Sequence, residues 1–260
     1  MRTFSAGHDL VCRLTWYPPG YAQGIHSHDK AQISLLIAGE LRETTGSGEH
    51  ETDRPSVARK PEGARHSVVF GPSGAIILSW EVQDDALVSE TWSRRCDWNW
   101  QGSRELQGLL RVIASSISAG AESFTAAESL PWDVLALLPE QAGAPAPSIA
   151  PPLMARLRER IRFEPVSFSV AETAKSAGIH RIHLARLFRR QFGSTMTQYR
   201  CRALSDAALR HILDPGKSLT EAALAAGFAD QSHMTRMLKA ETGFTPGALR
   251  RTMLGRTARA

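Results

Sequence analysis

The spacing of apolar positions changes near residue 100. Between residues 10 and 80 the apolar side chains come in short runs at 11–17, 33–38, 41–45, 66–70 and 75–80. Pro18-Pro19-Gly20, Gly46-Ser47-Gly48 and Gly71-Pro72-Ser73-Gly74 punctuate them. Short runs bounded by Gly/Pro turns predict strands, and several at this spacing predict a small β-barrel or sandwich. Beyond residue 100 the period lengthens to that of a helix. Leu106, Leu109, Leu110, Ile113 and Ile117 recur at helical spacing, and Thr125-x-x-Glu128 is a capping box that predicts a second helix as far as residue 138. Residues 141–152 are small and proline-rich with no period, which predicts a flexible linker. Residues 153–163 then form a basic amphipathic segment ended by Glu164-Pro165. The fold class expected is α+β.

The last third of the chain contains one unit twice. Ser169-Val-Ala-Glu-Thr-Ala-Lys-Ser-Ala-Gly178-Ile179 recurs as Ser218-Leu-Thr-Glu-Ala-Ala-Leu-Ala-Ala-Gly227-Phe228, 49 residues later. Each copy has a capping serine, a short Ala-rich helix, a glycine stop and a second helix carrying basic residues. That order is a helix-turn-helix, whose second helix lies in the major groove while its apolar side packs on the scaffold. Leu184, Leu187 and Phe188 in the first copy, like Met234, Met237 and Leu238 in the second, make the packing stripe. Arg186 and Arg236 project off it, within reach of guanine or phosphate. A single such hairpin is as readily plain core. Two copies, each with a cationic second helix, favour DNA.

At these residues the chain resembles the AraC/XylS family of bacterial transcription regulators. Gly227-Phe-Ala-Asp-Gln-Ser-His233-Met-Thr-Arg236-Met-Leu-Lys-Ala-Glu-Thr-Gly243-Phe-Thr-Pro246 is similar to that family's signature, with Leu238 and Leu249 where aromatics are usual. The resemblance implies a double helix-turn-helix domain over 153–254 with seven helices. A long one near 197–213 would set the two recognition helices into successive major grooves. It places base reading on Arg181, Ile182 and Arg186 in the first unit and on Gln231, Ser232, His233 and Arg236 in the second. Arg190, further along its helix, would meet the phosphate backbone. In this family helices such as those within 86–140 commonly form a dimer contact; packing against the barrel is the competing expectation for them.

Charge sharpens this division. From Pro151 onward there are 19 Lys+Arg against 8 Asp+Glu, a net of +11, whereas residues 1–150 carry 12 against 18, a net of −6. The basic part is therefore the one suited to a polyanion. Arg156, Arg158, Arg160 and Arg162 either touch phosphates or are solvated. The three cysteines are far apart and form no framework, no apolar run is long enough to span a membrane, and the start of the chain lacks a signal-peptide pattern. A cytoplasmic location is expected.

The strand-rich part, residues 1–85, carries Gly20-x5-His26-x-His28-x3-Gln32-x6-Gly39 and then Pro61-x-Gly63-x2-His66, which resemble the two cupin motifs. On an unbroken strand His26, His28 and Gln32 share a face, and His66 would join them from a facing strand. Three imidazoles suit zinc, nickel, iron or copper. Gln32 stands where the motif has a carboxylate, however, and Pro55 and Phe70 where it has Gly and Asn. Three readings stay open: a metal site, a metal-free ligand pocket and an inert scaffold. Trp92, Trp98 and Trp100 would wall the pocket or belong to the core.

The function expected is a DNA-binding regulator, not an enzyme, modulated by a small molecule or metal in its N-terminal part. The alternative is a metal-dependent, dioxygenase-like cupin enzyme tethered to a DNA-binding domain. Expected partners are promoter DNA, the effector, a second copy of the chain and RNA polymerase.

Overall fold

A computed structural model describes residues 2–6, 10–83, 98, 100–102, 106–119, 134, 152–178 and 181–255. Its strands are β1 (Arg2–Ala6), β2 (Leu10–Tyr17), β3 (Ala22–His26), β4 (Gln32–Thr45), β5 (Gly48–Thr52), β6 (Ser56–Lys60) and β7 (His66–Val82). All pair antiparallel in one sheet of order β1-β2-β7-β4-β5, with β3 also on β7 and β6 also on β4. Runs that look separate in the sequence are fused. Residues 33–38 and 41–45 are both in β4, and 66–70 and 75–80 are both in β7, so Gly71-Pro72-Ser73-Gly74 is a bend within a strand and not a break between two.

The bend is made by glycines facing each other. Gly39 and Gly74 both have left-handed backbone, at φ of 89° and 71°, and a Cβ on Gly39 would overlap Gly74 O and lie 2.7 Å from Ala75 Cα. The register slips between Leu36 and Ala38 and again between Gly39 and Leu41, as at a β-bulge, which turns a strand while pairing continues on either side. The sheet thereby has two halves. One joins β3, the start of β7, the end of β4 and β5; the other joins β1, β2, the end of β7, the start of β4 and β6.

Eight helices are described: α1 (Leu106–Ala119), α2 (Pro152–Phe163), α3 (Val170–Ser176), α4 (Arg181–Phe192), α5 (Met196–Ile212), α6 (Leu219–Ala225), α7 (Gln231–Thr242) and α8 (Pro246–Leu254). Side chains cap most of them. Ser169 and Thr245 accept from the amides of Glu172 and Ala248, and Thr195 and Ser218 form full capping boxes with Gln198 and Glu221. Each such cap is worth about 1 kcal/mol. Of the helix expected over 125–138, only the buried Val134 is described. The rest of it, Trp92 and residues 141–151 lie outside the described residues.

The helices and the sheet share two hydrophobic cores. A small one gathers Met154, Leu157, Ile161, Phe168, Leu184, Phe188, Met196 and Tyr199 from α2 to the start of α5. A large one runs without a break from Leu14, Ile33 and Leu78 in the sheet through Leu110 and Ile113 of α1 to Leu209, Met234 and Leu249. The apolar face of α1 is therefore used inside the chain. At Gly243, the left-handed end of α7, a Cβ would lie 2.6 Å from Leu110 O, so only glycine lets the two helices meet this closely. Leu238 and Leu249, the departures from the family pattern, are both fully buried and act as ordinary core residues.

Polar contacts add to the join between sheet and helices. The Gly39 amide, freed by the bulge, donates to Asp206 Oδ1 of α5 at 2.8 Å. Burial pushes the Asp206 carboxyl up to about 7, against the lowering effect of that bond and of Arg202. Between the unfolded value near 3.8 and about 7 the folded protein holds a proton that the unfolded chain has lost, so Asp206 costs stability as pH rises through this window. Asp206→Asn keeps an oxygen for Gly39 and removes the charge. Its melting temperature should match wild type only below about pH 4 and exceed it by a margin that grows up to about pH 7 and then holds, at roughly 2–4 °C per kcal/mol recovered. A lower value at pH 8 would show that the carboxylate is needed in its charged form.

Candidate functional site

The two repeated units fold as paired helices, α3 with α4 and α6 with α7. Leu184 and Phe188 of α4 and Met234 and Leu238 of α7 are fully buried, so the stripes read from the sequence do face the scaffold. On α7 the opposite side is open: Gln231, Ser232 and Arg236 are exposed. Asp230 caps this helix, accepting from the His233 amide at 2.7 Å. The Thr220 hydroxyl donates to Gln231 Oε1 at 3.0 Å and tethers that side chain across the turn. His233 is half-buried and sits edge-on to Phe228 with ring centroids 5.3 Å apart, so its ring supports the turn as well as facing outward. In α4, Arg181 opens the helix, Arg186 stands in its second turn and Arg190 near its end. The side chains of Arg181, Ile182, Arg186 and Arg190 lie outside the described residues.

The second candidate lies between the two halves of the sheet. β3 ends at His26 and β4 begins at Gln32, so His28 stands on the loop between them and the single unbroken strand assumed from parity does not exist. The three histidines meet all the same. His26 is the pairing partner of His66 across β3 and β7, and the His28 carbonyl accepts from Gly63 N at 2.9 Å, so the Pro61-x-Gly63 turn holds the histidine loop in place. Ring centroids are 5.3 Å apart for His26 and His28, 4.1 Å for His26 and His66, and 5.0 Å for His28 and His66. One ring nitrogen from each lies within 4.8 Å of the others. Because Gly24 O can only accept, its 2.8 Å contact places a proton on His26 Nδ1.

Two side chains beside them decide the electrostatics. Glu43, fully buried on β4, was not among the residues picked out from the sequence. Its Oε1 takes the Lys60 ammonium at 2.8 Å and its Oε2 takes the indole N–H of Trp98 at 2.8 Å and of Trp100 at 2.6 Å, while His66 Nε2 lies 3.6 Å away. Trp98 also packs against His66, at 4.4 Å between rings, but it is buried in the core and Trp100 packs on a core cluster, and neither lines the cavity itself; they back the pocket and do not wall it. Burial first, then the Lys60 charge, lowers His28 to about 4 and His66 to about 3. Both are neutral at pH 7 with lone pairs to offer. Gln32 is buried at the edge of the same cavity, where its Oε1 accepts from Ser34.

The cavity measures about 180 Å³ and is lined by polar groups from both halves, the Arg13–Glu81 ion pair included. Pockets for drug-sized molecules are usually about 300–1,000 Å³. The room here suits an ion or a molecule of a few heavy atoms. Three imidazoles, His28 and His66 among them neutral, fit a borderline divalent cation. Lys60 opposes one, and Glu43 already satisfies three donors.

The Glu43–Lys60 pair should be a stability element in its own right. Removing one member of a buried ion pair costs about 3–5 kcal/mol because the other is stranded, while replacing both is close to neutral. Glu43→Ala should lower unfolding free energy by that order. The double change Glu43→Gln/Lys60→Met should recover most of it, as denaturant melts would show. A mild single and a severe double would contradict the pairing.

Comparison with known proteins places residues 173–252 in a family model described as a helix-turn-helix domain. Among solved structures, the chain is similar to the C-terminal domain of AraT, a response regulator from Geobacillus stearothermophilus, at 19% identity over 43% of this chain and 95% of that one, with a TM-score of 0.38. ToxT from Vibrio cholerae matches at 10% identity over 95% of this chain and 100% of that one, with a TM-score of 0.38. The Cnp3 cupin domain of Schizosaccharomyces pombe matches the sheet region at 13% identity, over 35% of this chain and 64% of that one, with a TM-score of 0.31.

Proposed function

Because residues 173–252 are a helix-turn-helix domain of the AraC type, we propose that the chain is a sequence-specific DNA-binding transcription regulator whose grip on its operator depends on what occupies the sheet cavity. The observation that carries this reading is the doubled unit, with an apolar stripe buried on each second helix and a polar face left open on α7. Gln231, Ser232, His233 and Arg236 read one major groove, and Arg181, Ile182 and Arg186 the next, while Arg190 holds phosphate. Gln231 pairs with adenine and Arg236 with guanine. The regulator works on promoter DNA in the bacterial cytoplasm, as a homodimer and beside RNA polymerase; no described helix is long and apolar enough to cross a membrane.

The effector sits among His26, His28, His66 and Gln32. Unpartnered polar groups in a buried pocket are costly, and among the described residues buried His66 Nδ1 has no well-formed hydrogen bond. A small polar molecule satisfies these groups. A zinc, nickel, iron or copper ion would be held by the three histidines and would supply positive charge at a centre where Glu43 and Lys60 now cancel. Either occupant acts on DNA through α1, whose inner face packs on the sheet core and on α7.

Two measurements test this. Arg236→Ala should reduce discrimination between operator and scrambled DNA by about 1–3 kcal/mol, while Arg190→Ala should weaken both alike; equal losses for Arg236→Ala would remove it from base reading. In the full-length protein, His26→Ala/His66→Ala should lose any bound metal and any effector-dependent change in operator affinity, a change of roughly five-fold or more if the coupling is typical. A double variant that folds and still responds like wild type would show that the sensor lies elsewhere.

A further inference from the structure

A larger cavity, about 480 Å³, lies between the bend of the sheet and α2, outside the histidine pocket. Its size is within the usual range for small organic ligands. One wall is apolar, made by Leu41, Val69, Phe70 and Pro72. The other carries Arg158 and Arg162, one turn apart on α2. Arg162 pairs with Glu40 and Arg42 with Glu51, while Asp53 accepts from the Tyr199 hydroxyl. Among the described residues Arg158 has no ion-pair partner and neither has Asp53, so three arginines and three carboxylates leave the lining close to neutral overall, with the Arg158 guanidinium open to an anionic oxygen.

Two further groups there are incompletely satisfied. Glu40 is 5% exposed, and among the described residues its Oε1 is buried without a hydrogen bond, as is Arg162 Nε. A buried acceptor and a buried donor left open are both unfavourable. Together they describe an occupant that offers a donor to Glu40, an anionic oxygen to Arg158 and Arg162, and an apolar body to Phe70 and its neighbours.

The cavity also lies on the weaker of two joins. The second helix-turn-helix unit shares one continuous apolar core with the sheet. The first unit has its own core and meets the sheet through polar contacts: Arg162 with Glu40, Tyr199 with Asp53, and Arg54 Nη1 donating to Phe192 O at 3.4 Å.

We propose that this cleft is a second small-molecule site, one that takes a hydroxy- or amino-substituted carboxylic acid with an apolar body, and that its occupation acts on the first helix-turn-helix unit and not the second. The ligand competes with Glu40 for Arg162 and so loosens the polar join. Its effect on DNA rests on the regulator reading above, but its binding does not.

Calorimetry on the full-length protein, without DNA, separates the two. 3-Phenyllactate and L-phenylalanine at millimolar concentration are the probes; 3-phenylpropionate lacks the donor and phenylalaninol lacks the carboxylate. At least one probe should bind at one per chain and at least ten-fold more tightly than either control. Arg158→Gln should weaken it ten-fold or more, and His26→Ala/His66→Ala should leave it unchanged. Hydrogen exchange with the probe bound should change in residues 181–192 and not in 231–242. No binding by either probe, controls that bind as well, loss in the histidine variant, or a response confined to 231–242 would each overturn the proposal. Failure of the unliganded protein to bind any DNA would instead count against the regulator reading alone.

Discussion

A single helix has to bury two faces at once. α5 gives Met196 and Tyr199 to the small core and Leu204, Ala208, Leu209 and Ile212 to the large one, and Asp206 on the same helix takes the amide that the bulge at Gly39 leaves free. A helix that is apolar on more than one side must be enclosed, so the first unit, the second unit and the sheet are all drawn to it. The spacing of α4 and α7, on which any reading of adjacent grooves depends, is thus fixed by the length of α5 and by which turn faces which core. Its ends are well defined, with a capping box at Thr195 and Leu213 closing the last turn.

Enclosure also explains the balance of charge in the histidine pocket. A carboxylate at full burial is tolerable only when paired and hydrogen-bonded, and Glu43 has an ammonium and two indoles. The same ammonium helps keep His28 and His66 neutral. His28 and His66 are therefore uncharged donors and acceptors beside a cancelled ion pair. The tryptophans that hold Glu43 stand next to the segment leading to α1, which in turn packs on α7. Glu43 is thereby joined to α7 by a short run of packed elements.

Much of this was legible in the sequence, and the parts that were not share a cause. The repeat, the capping serines and the apolar stripes are local patterns, and Ser169, Ser218, Leu184 and Met234 take the roles their spacing implies. The histidines could be grouped because two short motifs bring them together, even though His28 proved to be on a loop. The fusion of β4 and of β7 was hidden because a glycine cluster marks a turn and a bulge in the same way, and only the facing of Gly39 and Gly74 tells them apart. Glu43 was missed although a signal existed: in Leu41-Arg42-Glu43-Thr44 it alternates with exposed residues and falls on the inward side. A charge at an inward position calls for a partner, but which one cannot be read locally, since Lys60 and the two tryptophans come from far along the chain.

The account turns on two recognition helices held at one spacing by α5, and hydroxyl-radical footprinting of the full-length protein on a site selected from random DNA tests that most directly. Two protected windows on one face of the duplex, centred about 10–10.5 base pairs apart, are the result it requires. A single window, or two on opposite faces, would contradict it.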